Sequence, residues 1–299
     1  MNSNSPLSLA ARRFRRHRLA IFSAGLLLMM IVLVMAAPLF EAWLGVGAYD
    51  VNLMNRLLPP SLAHPLGTDE LGRDVFLRLL YGGRISLFTG LTAAVFAASI
   101  GTVIGLSAGF LGGRVDAALM RLTDSVIALP LLPLLIVLVA IDLNKLGLPQ
   151  SIVESEDVSF YRIVFIVAIT GWTTVARLVR GATLSLKEQE FVMAARGVGA
   201  GNMRIMFRHI LPNLLSPIIV AVTLSVGTVI LLESVLSFLG LGIQPPMASW
   251  GNMLTNAQQL IWEAPMLAVY PGLLIFITVI SFNFLGDGLQ DALDPKAEY

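Results

Sequence analysis

The sequence predicts an all-α integral membrane protein with six transmembrane helices and both termini in the cytosol. Three observations carry that expectation: a shortage of charge, six apolar runs of spanning length, and an uneven placement of basic residues. Of 299 residues, 56% are hydrophobic and only 13% are charged, where a soluble domain averages about 25% charged. That leaves too little polar surface to coat a globule of this size, which sets aside a soluble enzyme, a disordered chain and a nucleic-acid-binding module. The net charge of +1 carries no message of its own, because 17 Arg and 3 Lys nearly balance 19 acids. With no Cys there is no disulfide, thiolate metal site or Cys nucleophile.

A helix of about 20 mostly apolar residues crosses about 30 Å of hydrocarbon. Uncharged runs of that order lie at Leu19–Phe40, Ile85–Gly113, Ser125–Ile141, Ile210–Leu232 and Ala264–Gly286. A sixth, Phe160–Val179, holds Arg162 and Arg177 only near its ends, where long side chains reach the headgroups. Ser234–Trp262 is also uncharged. Its Gln244, Pro245, Pro246, Asn252, Asn256, Gln258 and Gln259 suit a wet or interfacial connection better than lipid. The first run follows the basic cluster Arg12–Arg18 and continues into Pro38, so it reads as an uncleaved span rather than a signal peptide. With the N-terminus inside, cytosolic stretches hold 14 of the 20 Lys and Arg. The positive-inside rule favours that orientation. The expected division is a basic tail (1–18), a first span (19–40), an outer segment (41–83), a membrane core (84–290) with a cytosolic loop at 181–212, and a short inner tail (291–299).

Two local patterns mislead. Residues Gly105–Gly109 match the G-x-S-x-G elbow of serine hydrolases, but that motif needs a strand-to-helix turn with a His and an acid in reach. Here it lies in an apolar helix far in sequence from His17, His64 and His209. The spacing has a better reading. Gly101, Gly105, Gly109 and Gly113 recur every four residues and form a smooth ridge for close helix packing, against a helix of this chain or of another subunit. The three isolated histidines offer no metal site. Lys145, Lys187 and Lys296 follow Asn, Leu and Pro, so no lysine completes a phosphate-binding P-loop. If ATP powers this protein, the nucleotide site belongs to a partner.

The longest cytosolic connection reads as a helix over Leu186–Arg196, a break at Gly197, Gly199 and Gly201, and a second helix over Asn202–Ile210. A solvated linker would not need the paired small residues Ala194 and Ala195 on an apolar strip beside a tight turn. Such a surface suits docking into a groove on another protein.

Glu190–Gly199 (EFVMAARGVG), followed by Arg208–Asn213 (RHILPN), resembles the EAA loop of ABC importer permeases. Ala194, Ala195, Gly199, Leu211 and Pro212 fall on the pattern, while Met193 stands for its Glu and His209 for its Ile. Leu66–Asp74 (LGTDELGRD) with Arg78, Arg84 and Ser86 resembles the hallmark of dipeptide/oligopeptide/nickel permeases, with Leu77 where Ser is usual. Ser237–Pro246 with Trp250, and Phe282–Lys296, resemble further segments of that group's second, C-type subunit. The acidic connection 142–162 is longer than the family leads one to expect. The resemblance implies the type I ABC importer permease fold in a bacterial inner membrane. It implies a homologous permease as pore partner, two ATPase subunits that bind ATP-Mg, and an extracytoplasmic solute-binding protein, with no cofactor and no nucleic acid in this chain. It further implies that Glu190, Ala194, Ala195, Gly199, Arg208, Leu211 and Pro212 belong to the element seated in the ATPase. Peptides are the implied cargo, with nickel, opines or glutathione as alternatives.

Outside, Gly67, Asp69, Gly72, Arg73 and Asp74 belong to a cap that either receives the binding protein or packs, self-paired, over the bundle mouth. Glu233, near the outer end of the fifth run, is a candidate for the translocation path or gate, since an ionisable group at that depth faces a cavity or a partner. It is equally suited to hydrogen-bonding within the bundle. Pro130, Pro133, Pro217 and Pro271 are expected to kink or begin helices. A secondary transporter or channel would instead carry internal repeats and mid-membrane charges, and neither stands out.

Overall fold

Helix boundaries follow from caps and prolines more than from hydropathy. The structure, a computed structural model, describes residues 11–293 other than 148, 154, 156 and 256. Glu154 and Glu156 of the acidic connection, Asn256, and residues 294–296 of the C-terminal signature lie outside the described residues. Helix α1 (Arg18–Met35) starts where His17 accepts the Ala20 N–H on Nδ1 at 3.1 Å. After a break at Ala36, α2 (Ala37–Leu44) begins with Pro38 in its first turn, where the missing N–H is no loss, and ends at left-handed Gly45. The 37-residue α3 (Val75–Leu111) begins ten residues before its apolar run, because Asp74 caps it by accepting the Leu77 N–H at 2.8 Å. At about 55 Å it is longer than the hydrocarbon is thick, so its outer end stands in the cap.

The expected span Ser125–Ile141 is not a continuous helix. Pro130 disfavours helical angles at Leu129, which is extended (φ −77°, ψ 135°). Helices α4 (Gly113–Ala128) and α5 (Leu131–Val139) therefore meet at an 87° bend. Among the described residues five helices are long and apolar enough to cross a membrane, and this bent pair is the sixth crossing if counted as one. The remaining long helices are α6 (Val158–Leu186), α8 (Asn202–Phe238) and α10 (Met266–Leu293). Two short ones, α7 (Glu190–Gly197) and α9 (Trp250–Thr255), lie in the connections.

The expected helix over Leu186–Arg196 is broken at residues 187–189, between α6 and α7. The second loop helix does not stop at Ile210 but runs on through Pro212. A wider π turn over Ile205–Ile210 makes this possible. Proline cannot donate to the carbonyl four residues back and its ring crowds that carbonyl, and a π turn relieves both conflicts.

α3 is the central helix. On one side α6 runs parallel to it, with the Phe88 and Phe160 rings stacked 5.5 Å apart and Gly109 facing Thr183. On the other side α8 runs antiparallel, with Gly90 against Val226 and Ile230. α10 packs antiparallel on α8, and α1 antiparallel on α10, where Gly288 meets Ala20 and Thr278 meets Met30. The glycine ridge thus has its partner within the chain. A Cβ on Gly101 would lie 2.6 Å from the Trp172 carbonyl, and one on Gly109 would lie 2.7 Å from Thr183 Cβ. Gly105 faces the Ala176 carbonyl in the same way. Gly113 does not belong to this ridge: it lies past the end of α3, has φ +55° and has no neighbour within 4 Å.

Candidate coupling element, cavity and outer cap

The loop Glu190–Pro212 folds into a docked helix pair. α7 ends in a left-handed turn: Gly199 has φ +83°, and the Ala200 N–H reaches back to the Ala195 carbonyl at 3.0 Å. That six-to-one bond with glycine in the left-handed position is the Schellman ending of a helix. Val192 and Ala195 are buried against Ile205, Met206 and Ile210, and the group sits on Leu106 and Phe110 of α3 and Val175 and Val179 of α6. The Arg196 guanidinium lies 5.6 Å from the Phe110 ring centroid, a cation–π contact to the inner end of α3. Glu190, Ala194, Gly199, Arg208 and Pro212 are exposed, Leu211 is half-buried, and Ala195 faces inward. The outward side carries apolar groups, Val198 (86% exposed), Met193, Met203 and Phe207, among the charged Glu190, Arg204 and Arg208. Exposed apolar groups gathered on a cytosolic element mark an interaction surface.

Two ion pairs brace the same end. Arg180 of α6 holds both carboxylate oxygens of Asp116 on α4 at 2.5 and 2.6 Å, and Arg177 reaches Asp124 at 2.5 Å. Neither pair was legible beforehand, since the partners lie 64 and 53 residues apart.

A cavity of about 830 Å³ opens between α3, the α4–α5 bend, α6, α8 and the inner end of α10. Its polar groups are hydroxyls and one amide, among them Thr170, Thr173, Ser216, Thr228 and Gln290; the described lining includes no ionisable side chain. Glu233 does not line it. The neighbouring Leu232 does, while Glu233 is fully buried and hydrogen-bonded to serines of α3, α8 and the segment after α8. Its carboxylate is thus engaged within the bundle and takes no part in the cavity wall.

The cap is largely self-satisfied. Asp69 Oδ1 accepts the Leu71 and Arg73 N–H groups at 2.9 Å, and its Oδ2 pairs with Arg73 Nε at 2.7 Å and Arg78 Nε at 3.4 Å. Asp74, besides capping α3, pairs with His64 Nδ1 at 2.9 Å. Gly67 and Gly72 take left-handed angles (φ +81° and +74°), and Gly72 lies flush against the Asn52 carbonyl, where no side chain fits. Tyr81 donates to Glu41, and Tyr49 faces the Ala248 backbone; burial pushes the Tyr49 phenol above its usual range.

Between cap and bundle, the segment after α8 folds back over the outer ends of the helices. Trp250 is wholly buried and donates Nε1–H to the Leu79 carbonyl at 2.9 Å. Gly83 leaves room for its ring, and Gly251 lets the segment meet Ser234 and Ser237. Sequence reasoning missed Ser86, Ser237 and Ser249 around Glu233. Ser237 alone was within reach of a periodicity argument, lying four residues on along α8.

An all-helical multi-pass chain with a docked cytosolic helix pair, a neutral internal cavity and a braced inner end is a membrane permease. Residues 101–299 match the family of binding-protein-dependent transport system inner membrane components, and residues 5–60 match the N-terminal transmembrane domain of oligopeptide transport permease C. The chain belongs to this family of ABC importer permeases, as its second, C-type subunit, and is a multi-pass inner-membrane protein. It is 41% identical to the oligopeptide transport system permease protein OppC of Bacillus subtilis (strain 168), over 96% of this chain and 88% of that one. It is 42% identical to the dipeptide transport system permease protein DppC of Alkalihalophilus pseudofirmus, over 98% and 90%. It is also 41% identical to the glutathione transport system permease protein GsiD of Pectobacterium atrosepticum, over 95% and 89%.

Proposed function

We propose that this permease carries peptides inward, forming half of the path with a homologous permease. In this reading two ATPase subunits supply the ATP-Mg sites, seat the Glu190–Pro212 element, and drive it. The observation that carries the reading is the helix pair itself. Its outward face exposes apolar groups among charged ones, and its inward face is packed on the α3–α6 pair. A push on α7 passes to α3 and α6 through side chains already in contact, and the Gly101–Gly109 ridge lets those two helices move together. A solute-binding protein delivers the cargo at the outer face. The neutral cavity supports peptides of mixed side chains, because it offers hydroxyls to a peptide backbone and no charge to select among residues. Glutathione, itself a tripeptide, is the alternative cargo that a relative's function favours.

Ala194 gives the sharpest test, since of the alanine pair it is the exposed member and Ala195 the buried one. Ala194→Trp is expected to insert normally, to lose peptide uptake in proteoliposomes holding the whole transporter, and to release the ATPase on purification. Normal uptake with a retained ATPase refutes the docking role. Recovery of the wild-type chain without any ATPase would revive a secondary transporter.

A further inference from the structure

Glu233 is 0% exposed and stands where α8 reaches the outer end of the bundle. Three serine hydroxyls converge on its carboxylate. Ser237 Oγ and Ser249 Oγ donate to Oε1 at 2.6 and 2.9 Å, and Ser86 Oγ donates to Oε2 at a longer 3.4 Å. The three come from different places: Ser237 from α8, Ser86 from α3, and Ser249 from the outer segment. Each hydroxyl also accepts a backbone N–H from that outer segment at 3.1 Å: Ser237 from Ile243, Ser86 from Trp250, Ser249 from Asn252. A serine has a single proton to give. With its oxygen taken by an amide, that proton goes to the carboxylate. Glu233 therefore terminates three amide–hydroxyl relays, all beginning within residues 243–252.

The position of this cluster gives it a role. On α8 the cavity lining runs from Ser216 out to Leu232, so Glu233 follows its outermost residue, turned toward α3 and the outer segment. Thr255 adds a bond to the Ser237 carbonyl at 2.9 Å, and Trp250 anchors the segment in α3.

We propose that Glu233 is the positioning residue of an outer gate, holding residues 239–255 at the outer end of the bundle until the three relays separate. The gate role rests on the transport reading above; the holding role does not. The chain has no cysteine, so single reporters are available without background. Ala248→Cys places a thiol in the outer segment and Thr183→Cys places one at the inner end, both at fully buried positions. Maleimide labelling is followed on the full chain in detergent. Glu233→Ala is expected to speed labelling at Ala248→Cys by about tenfold and to leave Thr183→Cys unchanged, as loss of a local set of buried hydrogen bonds requires. Glu233→Gln keeps an Oε1 acceptor for Ser237 and Ser249 and is expected to stay within about twofold of the parent. Unchanged labelling at Ala248→Cys, equal acceleration at both cysteines, or a Gln variant no better than Ala would each overturn the proposal. The expected labelling pattern in a chain that supports no peptide uptake would overturn the transport reading alone.

Discussion

The inner and outer ends of this permease are held by different forces. Inside, the coupling element rests on apolar packing: Val192, Ala195, Ile205 and Met206 against Leu106, Phe110, Val175 and Val179. Outside, the segment after α8 adds to the apolar packing of Ile243 and Trp250 a polar cluster on Glu233 that has no counterpart among the described residues of the coupling element. Packing is non-directional and tolerates small slides, so it transmits a push across many contacts. Hydrogen bonds are directional and few, so a contact held by them separates bond by bond rather than by sliding. The contrast fits a machine pushed from below that must release a seal above.

Four further changes would break or sharpen this contrast, from the largest expected effect to the smallest. Trp250→Ala removes the outer anchor, and large-to-small core changes of this kind cost about 3–5 kcal/mol. A thermal melt of the purified chain should fall accordingly, with the outer segment loosened first. Gly105→Leu forces a side chain into the Ala176 carbonyl; overpacking costs about 1–3 kcal/mol. It should separate α3 from α6 and show as lower yield of folded protein in the membrane. Arg180→Ala strips the brace from Asp116, a partly exposed pair whose loss costs on the order of 1 kcal/mol. Transport at low salt should suffer more than the melting temperature does. Charge reversal at Arg73 tests the cap. If the cap receives a binding protein, reversal weakens uptake in a salt-sensitive way, whereas a self-paired cap loses stability at the buried Asp69 pair and keeps its uptake affinity.

The α3–α6 pairing shows how far the sequence could be read. Four glycines at four-residue intervals announced a ridge, and three of them do form one. The fourth fell outside because Gly112, at φ +67°, ends the helix, and a periodic pattern carries no mark of where a helix stops. Pro130 was expected to kink or begin a helix; it breaks the crossing by 87°. Hydropathy averages over the break and so reports a single run. The coupling loop was legible as two short helices on either side of a glycine turn, because glycine ends helices by a local rule. Its merger with α8 was not legible, since proline ordinarily ends a helix and the π turn over Ile205–Ile210 lets this one pass Pro212.

Membership of the membrane class, the apolar stretches of the helices, the inward bias of basic charge and the coupling motif were determined by the sequence alone. Each depends on composition or on neighbours a few residues apart. Tertiary structure decided the partner of the glycine ridge, the brace between Arg180 and Asp116, and the surroundings of Glu233. Ser86 and Ser249 lie 147 and 16 residues from that carboxylate. The desolvation cost of a buried charge can be read from one residue, but the groups that offset it come from wherever the chain folds back.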